Sequence, residues 1–381
     1  MQKGSRQMIQ LRHIKTIVIF LFAGFSADQT HADDADGFRP LFNSKDLTGW
    51  VLVNTPPQTW SVEDNMLVCT GKPIGEIRTE RMYQNFVMEV EWRHMVPKGN
   101  AGIFVWADDI TSKGVPFHRG IEVQVLENAY GQSQHHTTHG DIFPIHGATM
   151  TPVNGRGGGR AFPTEERSKP SPEWNHYRIE CNDGKISLAV NGKLVTQGAE
   201  ANPSKGYICI ESEGGVVNYR NMKIKELPDT PVNDAHVAIA NRGYRSLYTG
   251  LDLFGWQATS VGKEHWHVQD WVLSYDGKTT PVEAVLTSDK SITNAGFIFD
   301  IRPGDTFENI TVCGLVLKEN LKSGEWHRIE VTVQGKKLNV AVDGQSVAKD
   351  LSLPVDSASQ FTLQPVGAAE FANIYTRDLA D

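Results

Sequence analysis

The stretch KGNAGIFVWADD, residues 98–109, returns in altered form as ITNAGFIFDIRP, residues 292–303. Similarity extends outward from this phrase, because LFNSKDLTGW (41–50) corresponds to LYTGLDLFGW (247–256) at an offset of 206 residues. The second copy is shorter by 12 residues before the phrase and by 42 residues after it. A repeat of this length predicts two whole domains rather than a solenoid of short units.

Both copies carry the pattern of antiparallel strands. In FVMEVEWR (86–93) and IEVQVLE (121–127), apolar and polar residues alternate, which is typical of strands with one buried face. The dipeptides Asn191-Gly192 and Asp343-Gly344 each join two such runs and are strong hairpin signals. We therefore predict an all-β protein with few helices, built as two tandem antiparallel β-sandwiches of the jelly-roll type.

The chain length agrees with two domains, because 381 residues exceed what one hydrophobic core usually supports. We predict a first sandwich over residues 36–227 and a shortened second sandwich over 242–381. Between them we predict a linker over 228–241, where Pro228 and Pro231 interrupt the strand pattern.

The first 32 residues have the features of a secretory signal peptide. A basic start precedes an apolar run from Thr16 to Ala27, and Thr30 and Ala32 supply small residues for cleavage. The apolar run is too short to span a bilayer. We expect a periplasmic or extracellular protein, where disulfides are permitted.

The net charge limits the expected binding partners, and the positions of the cysteines limit the expected disulfides. The net charge is −8 and no basic cluster follows residue 32, which argues against nucleic acid and anionic membranes as partners. Cys69, Cys181 and Cys209 lie in the first copy and Cys313 lies alone in the second. Isolated buried thiols are therefore the simpler interpretation, and one disulfide within the first copy is the alternative.

Five segments, in this order, resemble one bacterial family. They are GFRPLFNSKDLTGW (37–50), EVEWRHMVPKGNAGIFVW (89–106), GIEVQVLENAYG (120–131), PEWNHYRIECNDGKISLAVNGKLV (172–195) and GYICIESEGGVVNYRNMKIKEL (206–227). The family, once labelled DUF1080, is named for 3-keto-disaccharide hydrolases and 3-keto-glucoside lyase/hydratases. The resemblance implies a concanavalin A-like jelly roll that acts on oxidised sugars. The second copy lacks the middle segments and resembles a degenerate copy.

We predict that the ligand site lies in the part of the first copy that the second copy lacks. Residues 104–173 hold five of the 13 histidines, together with Glu122, Asp141, Arg119, Arg156 and Arg160. Long loops in compact domains tend to be functional. A variable decoration of the sandwich is the alternative.

The resemblance implies a reaction in which a base removes the C2 proton of a 3-keto-glycoside, the C1 substituent departs, and water adds to the enone. Our first candidate for the base is Glu122. The candidates for an acid or an alternate base are Glu91, Asp141 and His146. Arg78, Arg93 or a metal would stabilise the negative charge that develops.

Polar and aromatic side chains are candidates for binding the sugar, and we assign this role to Arg78, Arg93, Asn100, Trp106, Gln124 and Arg160. Glu91 and Arg93 would share a sheet face with Glu122 and Gln124 if their strands are near neighbours. An outer face with exposed ion pairs is the alternative. Trp106 is the candidate for stacking on a sugar, because other tryptophans, including Trp174, recur in the second copy and favour core packing.

The cofactor prediction is limited to one metal site. HHTTHGD (135–141) places His135, His139 and Asp141 within reach of a common divalent metal, although no helix fixes their geometry. No other cofactor is predicted. The rival to an enzyme is a non-catalytic, lectin-like protein, because sandwiches of this type often only bind glycans. In both cases the partner is a glycan or glycoside, and we expect the second copy to be an accessory for packing or glycan docking.

Overall fold

The computed structural model describes residues 36–240, 242–353 and 360–379. The predicted signal peptide, residues 1–32, lies outside the described residues. The only helices among the described residues are short 3-10 turns, at Pro57–Thr59, Asn128–Tyr130, Asp234–His236 and Gly262–His265. None of the described helices is both long and apolar enough to cross a membrane.

The first half of the chain consists of short strands in two sheets. The strands are β1 (Arg39–Pro40), β2 (Trp50–Val53), β3 (Trp60–Glu63), β4 (Met66–Cys69), β5 (Gly75–Thr79), β6 (Phe86–His94), β7 (Asn100–Ala107), β8 (Gly120–Leu126), β9 (Ile142–Ile145), β10 (Thr149–Pro152), β11 (Asn175–Asn182), β12 (Lys185–Val190), β13 (Lys193–Asn202), β14 (Tyr207–Ser212) and β15 (Val217–Glu226). A six-stranded sheet has the order β2-β5-β14-β7-β8-β9. A nine-stranded sheet has the order β10-β13-β12-β11-β6-β15-β4-β3, with β1 paired to β15.

The second half repeats this arrangement with fewer strands. They are β16 (Arg245–Ser246), β17 (Trp256–Ala258), β18 (Trp266–Gln269), β19 (Val272–Tyr275), β20 (Leu286–Ser291), β21 (Ala295–Pro303), β22 (Asn309–Val312), β23 (Leu315–Leu317), β24 (His327–Gln334), β25 (Lys337–Val342), β26 (Gln345–Ser352), β27 (Gln360–Val366) and β28 (Ala369–Asp378). An eight-stranded sheet has the order β18-β19-β28-β21-β24-β25-β26, with β16 paired to β28, and a five-stranded sheet has the order β17-β20-β27-β22-β23.

Each half has a hydrophobic core between its two sheets, because alternate residues of the strands point inward. In the first core, Trp92 and Tyr177 from the nine-stranded sheet meet Ile103 and Ile121 from the six-stranded sheet. A separate core in the second half contains two stacked phenylalanines, Phe297 and Phe361. Neighbouring strands pair antiparallel in all four sheets. The predicted all-β fold of two tandem antiparallel sandwiches is confirmed.

The exact domain bounds and the linker over 228–241 stay a prediction. The described part of this segment lies against the first sandwich, because Ala238 N donates to Lys205 O and Ile239 N donates to Asp108 Oδ1. The residues that the structure describes belong to one compact unit. The four cysteines are free, which agrees with isolated thiols rather than a bridge.

A loop of the first sandwich is bound to the second sandwich. This loop, residues 108–119, connects β7 to β8, and its Gly114 N donates to the buried carboxylate of Asp300 at 2.9 Å. Asp300 also accepts two hydrogen bonds from Arg328, at 2.7 and 2.9 Å. Arg328 in turn donates to Thr111 O at 2.9 Å. The second sandwich therefore fixes the position of the loop from its outer side.

Candidate active site

The candidate site lies on the outer face of the six-stranded sheet. Along β8, Ile121, Val123 and Val125 belong to the core, so Glu122 and Gln124 point to the opposite side. Both side chains are nevertheless buried. The reason is that the loops over this face contact them and their neighbours, as the bond from Arg160 to Gln124 and the bond between His118 and Glu76 demonstrate.

Gly102 in β7 leaves the space that the carboxyl group of Glu122 occupies. A Cβ atom at position 102 would lie 2.8 Å from Glu122 Oε1 and 3.1 Å from the carboxyl carbon, which is closer than ordinary van der Waals contact. In the sheet, Glu122 is opposite Phe104 and Gly102 is the next residue of β7 on the same face. The carboxyl group of Glu122 therefore lies across the backbone of the repeated phrase.

Three further glutamates share this face of the sheet. Glu211 on β14 pairs directly with Glu76 on β5, and Glu213 follows β14. Burial raises the pKa of Glu122 and of Glu211 well above the ordinary value of 4.5, and the neighbouring carboxylates raise both further. Burial also raises the pKa of Glu213, although hydrogen bonds from Asn100 and Glu211 oppose that rise. Like charges in close proximity disfavour ionisation, so the carboxyl groups of Glu122, Glu211 and Glu213 are harder to ionise here than they would be in water.

Arg160 and the side-chain amides of Gln124 and Asn100 connect these carboxyl groups to the loops above the sheet. Arg160 Nη1 donates to Asp141 Oδ2 at 3.0 Å and to Gln124 Oε1 at 3.4 Å. Gln124 Nε2 donates to Asn100 Oδ1 at 3.0 Å, and Asn100 Nδ2 donates to Glu213. The structure thus brings together Asn100, Gln124, Asp141 and Arg160 beside Glu122. The positive charge of Arg160 lowers the pKa of Glu122, against the larger effect of burial.

Arg78 lies on the same face, but its N–H groups donate hydrogen bonds to backbone oxygens of the protein. Its Nε donates to Asp109 O at 3.2 Å and its Nη1 to Thr79 O at 3.0 Å, while the guanidinium lies 4.7 Å from the ring centre of Tyr207. Arg78 therefore holds loop 108–119 against the sheet. His146 follows β9, is exposed to solvent and interacts electrostatically with Glu76 and His118.

Glu91 and Arg93 lie on the other sheet. They belong to β6 in the nine-stranded sheet, so the hydrophobic core separates them from Glu122. Glu91 forms an ion pair with Arg220 at 2.7 Å, and the guanidinium of Arg93 lies 4.5 Å from the ring centre of Trp174. Their surroundings match the alternative of an outer face with ion pairs.

Trp106 and Trp174 each lie in the environment that we expected for the other. Trp106 is fully buried in the core, where its indole nitrogen donates to Gln84 O at 2.8 Å. The chain has a φ of 54° at Trp106, and the pairing of β14 with β7 shifts register near it, so the side chain turns inward. Trp174, which we expected in the core, is part-exposed and lies between Arg93 and Arg220.

The predicted metal ligands His135, His139 and Asp141 each have other surroundings. His135 is exposed, whereas His139 Nδ1 lies 2.7 Å from Ser168 Oγ. Asp141 accepts hydrogen bonds from Thr137 N and from Arg160. The three side chains do not form a converging group of ligand atoms among the described residues.

Sequence reasoning missed several residues of this face: Glu76, His118, Cys209, Glu211 and Glu213. A usable signal was present in the strand patterns. Glu76 and Arg78 flank the core residue Ile77, and Cys209 and Glu211 flank Ile210. Polar residues that alternate with core residues mark the outer face of a strand, but the pattern does not say which strands become neighbours.

The comparisons with known proteins concern about half of the chain. Residues 37–225 match the model of the 3-keto-alpha-glucoside-1,2-lyase-like domain. A candidate glycosyl hydrolase from Parabacteroides distasonis has a similar solved structure, with 24% identity over 51% of this chain and 95% of that chain and a TM-score of 0.39. The carbohydrate-binding module CBM66 from Bacillus subtilis has 13% identity over 47% and 96% of the two chains and a TM-score of 0.34. No curated protein is significantly similar in sequence.

Proposed function

Because residues 37–225 belong to the 3-keto-alpha-glucoside-1,2-lyase-like domain family, we propose that the first sandwich cleaves 3-keto-glycosides by elimination across C1 and C2, followed by hydration. The observation that supports this most directly is the carboxyl group of Glu122. It is buried across Gly102, lies among other carboxyl groups with raised pKa values, and has Arg160 beside it. A carboxylate whose pKa is raised is a stronger base and is better suited to removing a weakly acidic C–H proton.

The proposed reaction uses the acidity that the C3 carbonyl confers on the C2 proton. Ionised Glu122 takes this proton, and the C–H electron pair becomes the enolate, whose charge Arg160 stabilises. The electron pair then forms the C1–C2 double bond and expels the oxygen on C1. That oxygen receives a proton from a carboxylic acid, for which Glu213 is the first choice because it is part-exposed and shares a hydrogen bond with Glu211. Water then adds across the enone.

The other predicted residues have supporting roles in this proposal. Asp141 and Gln124 hold Arg160, and Asn100 holds Glu213. His146 is exposed beside the site and is the remaining candidate for the acid. We propose no catalytic role for Glu91, Arg93 or Trp106, because Glu91 and Arg93 belong to the opposite sheet and the side chain of Trp106 is buried in the core.

The test uses the full chain with 3-keto-α-glucosides and their unoxidised forms, and mass spectrometry to detect the released product. We expect turnover of the 3-keto forms only, and a loss of about 10²- to 10⁴-fold in kcat for Glu122→Gln, which removes the base. Glu91→Gln is the matched control and should keep full turnover, because Glu91 lies on the opposite sheet. Undiminished turnover by Glu122→Gln would overturn the assignment. Binding of the glucosides without any turnover would instead support a lectin-like protein.

A further inference from the structure

A second group of side chains on this sheet converges without a function in the proposed reaction. It consists of Glu76 on β5, His118 in loop 108–119 and Cys209 on β14. One ligand atom of each lies within 4.8 Å of the other two, and all three side chains are fully buried. The same imidazole nitrogen, His118 Nδ1, contacts both partners: it is hydrogen-bonded to Glu76 Oε2 and lies 3.7 Å from Cys209 Sγ.

Protein contacts leave this group incompletely satisfied. Glu76 Oε1 is buried and has no hydrogen-bond partner, and neither has the neighbouring Glu211 Oε2. A buried carboxyl oxygen without a partner is costly, and native proteins rarely leave one unpaired. A cation bound by these three side chains would compensate Glu76 Oε1.

The sulfur, nitrogen and oxygen atoms of the three side chains indicate which kind of cation would bind. A thiolate, an imidazole and a carboxylate are the ligands that Zn²⁺ and similar transition metals accept, whereas Ca²⁺ and Mg²⁺ take oxygen ligands. At a tetrahedral zinc ion, sulfur and nitrogen ligands are separated by about 3.5 Å, given bond lengths of about 2.3 and 2.0 Å. The separation of 3.7 Å between Cys209 Sγ and His118 Nδ1 is close to this value.

We propose that Glu76, His118 and Cys209 bind a zinc-type divalent cation. The hydrogen bond between Glu76 and His118 opens to admit the cation, and the thiol of Cys209 loses its proton on binding. Glu211 pairs with Glu76 across β5 and β14, and its carboxyl group would have to turn towards the other three side chains to supply a fourth ligand. The ligands are fully enclosed, which is typical of a structural site rather than a catalytic one.

The position of the site indicates what the cation would do. His118 belongs to loop 108–119, whose outer side is bound to Asp300 and Arg328 of the second sandwich. The cation would attach the inner side of the same loop to β5 and β14. It would therefore connect the loop to the sheet that carries Glu122, independently of whether the proposed reaction is correct.

The experiment uses the full chain, freed of metal with a chelator and then titrated with Zn²⁺ or Co²⁺ without oxygen. We expect one bound ion per chain by elemental analysis, a higher Tm with zinc, and a cobalt spectrum with a thiolate charge-transfer band. The matched control is Cys181→Ala, which removes another fully buried thiol of the same sandwich and should keep the ion and the band. Cys209→Ala should lose both.

Two outcomes would overturn the proposal. One is a folded wild-type chain that takes up no stoichiometric zinc or cobalt after chelator treatment. The other is cobalt bound without the thiolate band, which would indicate adventitious binding by surface histidines. If Cys209→Ala does not fold, the cobalt spectrum of the wild-type chain still distinguishes a thiolate ligand from adventitious binding. Cys209→Ser then replaces Cys209→Ala as the milder variant. Unchanged binding and spectrum in a folded Cys209→Ala chain would also contradict it.

Discussion

Replacement of Gly102 with alanine should separate catalysis from stability. The new Cβ atom would lie 2.8 Å from Glu122 Oε1 and 3.1 Å from its carboxyl carbon. Ordinary contact between such atoms begins near 3.4 Å, so the carboxyl group has to move by roughly 0.5–1 Å. A displacement of about 1 Å at a reacting group costs on the order of 10²-fold in rate. We therefore expect kcat for 3-keto-α-glucosides to fall by about 10²-fold.

Stability should change little in the same variant. Glycine inside a strand costs roughly 0.5–1 kcal/mol relative to alanine, so the substitution gains this amount in the unfolded state. The contact to be relieved involves a side chain that can rotate rather than backbone. We expect the free energy of unfolding, measured by urea denaturation, to differ from that of the wild type by less than about 1 kcal/mol.

The repeat supplies a matched control for this prediction. Gly296 occupies the same position of the phrase in the second sandwich, where an added Cβ would lie 2.7 Å from the hydroxyl group of Tyr244. Gly296→Ala should therefore keep the turnover of the wild type. Two results would refute the reasoning: full turnover by Gly102→Ala, or an equal loss of turnover in Gly296→Ala.

Three further predictions follow from the charges. Because Arg160 lowers the pKa of Glu122, Arg160→Met should move the acidic limb of the kcat/KM profile to higher pH; an unmoved limb in an active variant would exclude Glu122 as the titrating base. In the metal-free chain, the raised pKa of Glu211 means that the folded state binds more protons than the unfolded state between pH 4.5 and the folded-state pKa, so the free energy of unfolding falls as pH rises through this interval. The free energy of unfolding, measured by urea denaturation at several pH values, should fall less steeply with pH in Glu211→Gln than in the wild type, by up to about 1.4 kcal/mol per pH unit. Equal slopes in the two chains would contradict this pKa direction. Asp300→Ala removes the buried partner of the part-buried Arg328 and should cost about 3–5 kcal/mol in urea denaturation, whereas a loss below about 1 kcal/mol would show that the ion pair is not what holds loop 108–119.

Much of the fold could be predicted from local patterns. Strand alternation and the Asn-Gly and Asp-Gly turns depend on neighbouring residues alone, so FVMEVEWR and IEVQVLE form strands as expected. The extra segment of the first copy also supplies Glu122, Gln124, Asp141 and Arg160, which the structure brings together. These are the parts of the site that adjacent strands and their loops can specify.

The remaining site residues depend on contacts that are distant in sequence. Glu91 and Glu122 have the same alternating surroundings, yet they lie on opposite sheets because β6 pairs with β11 and β15 while β8 pairs with β7 and β9. Glu76 and Cys209 meet His118 across 42 and 91 residues of chain. The sequence by itself determined which residues of a strand share a face, since the backbone imposes that period of two. Only the tertiary structure decided which faces meet, because hydrogen bonding between strands and burial of the cores choose the neighbours of each strand.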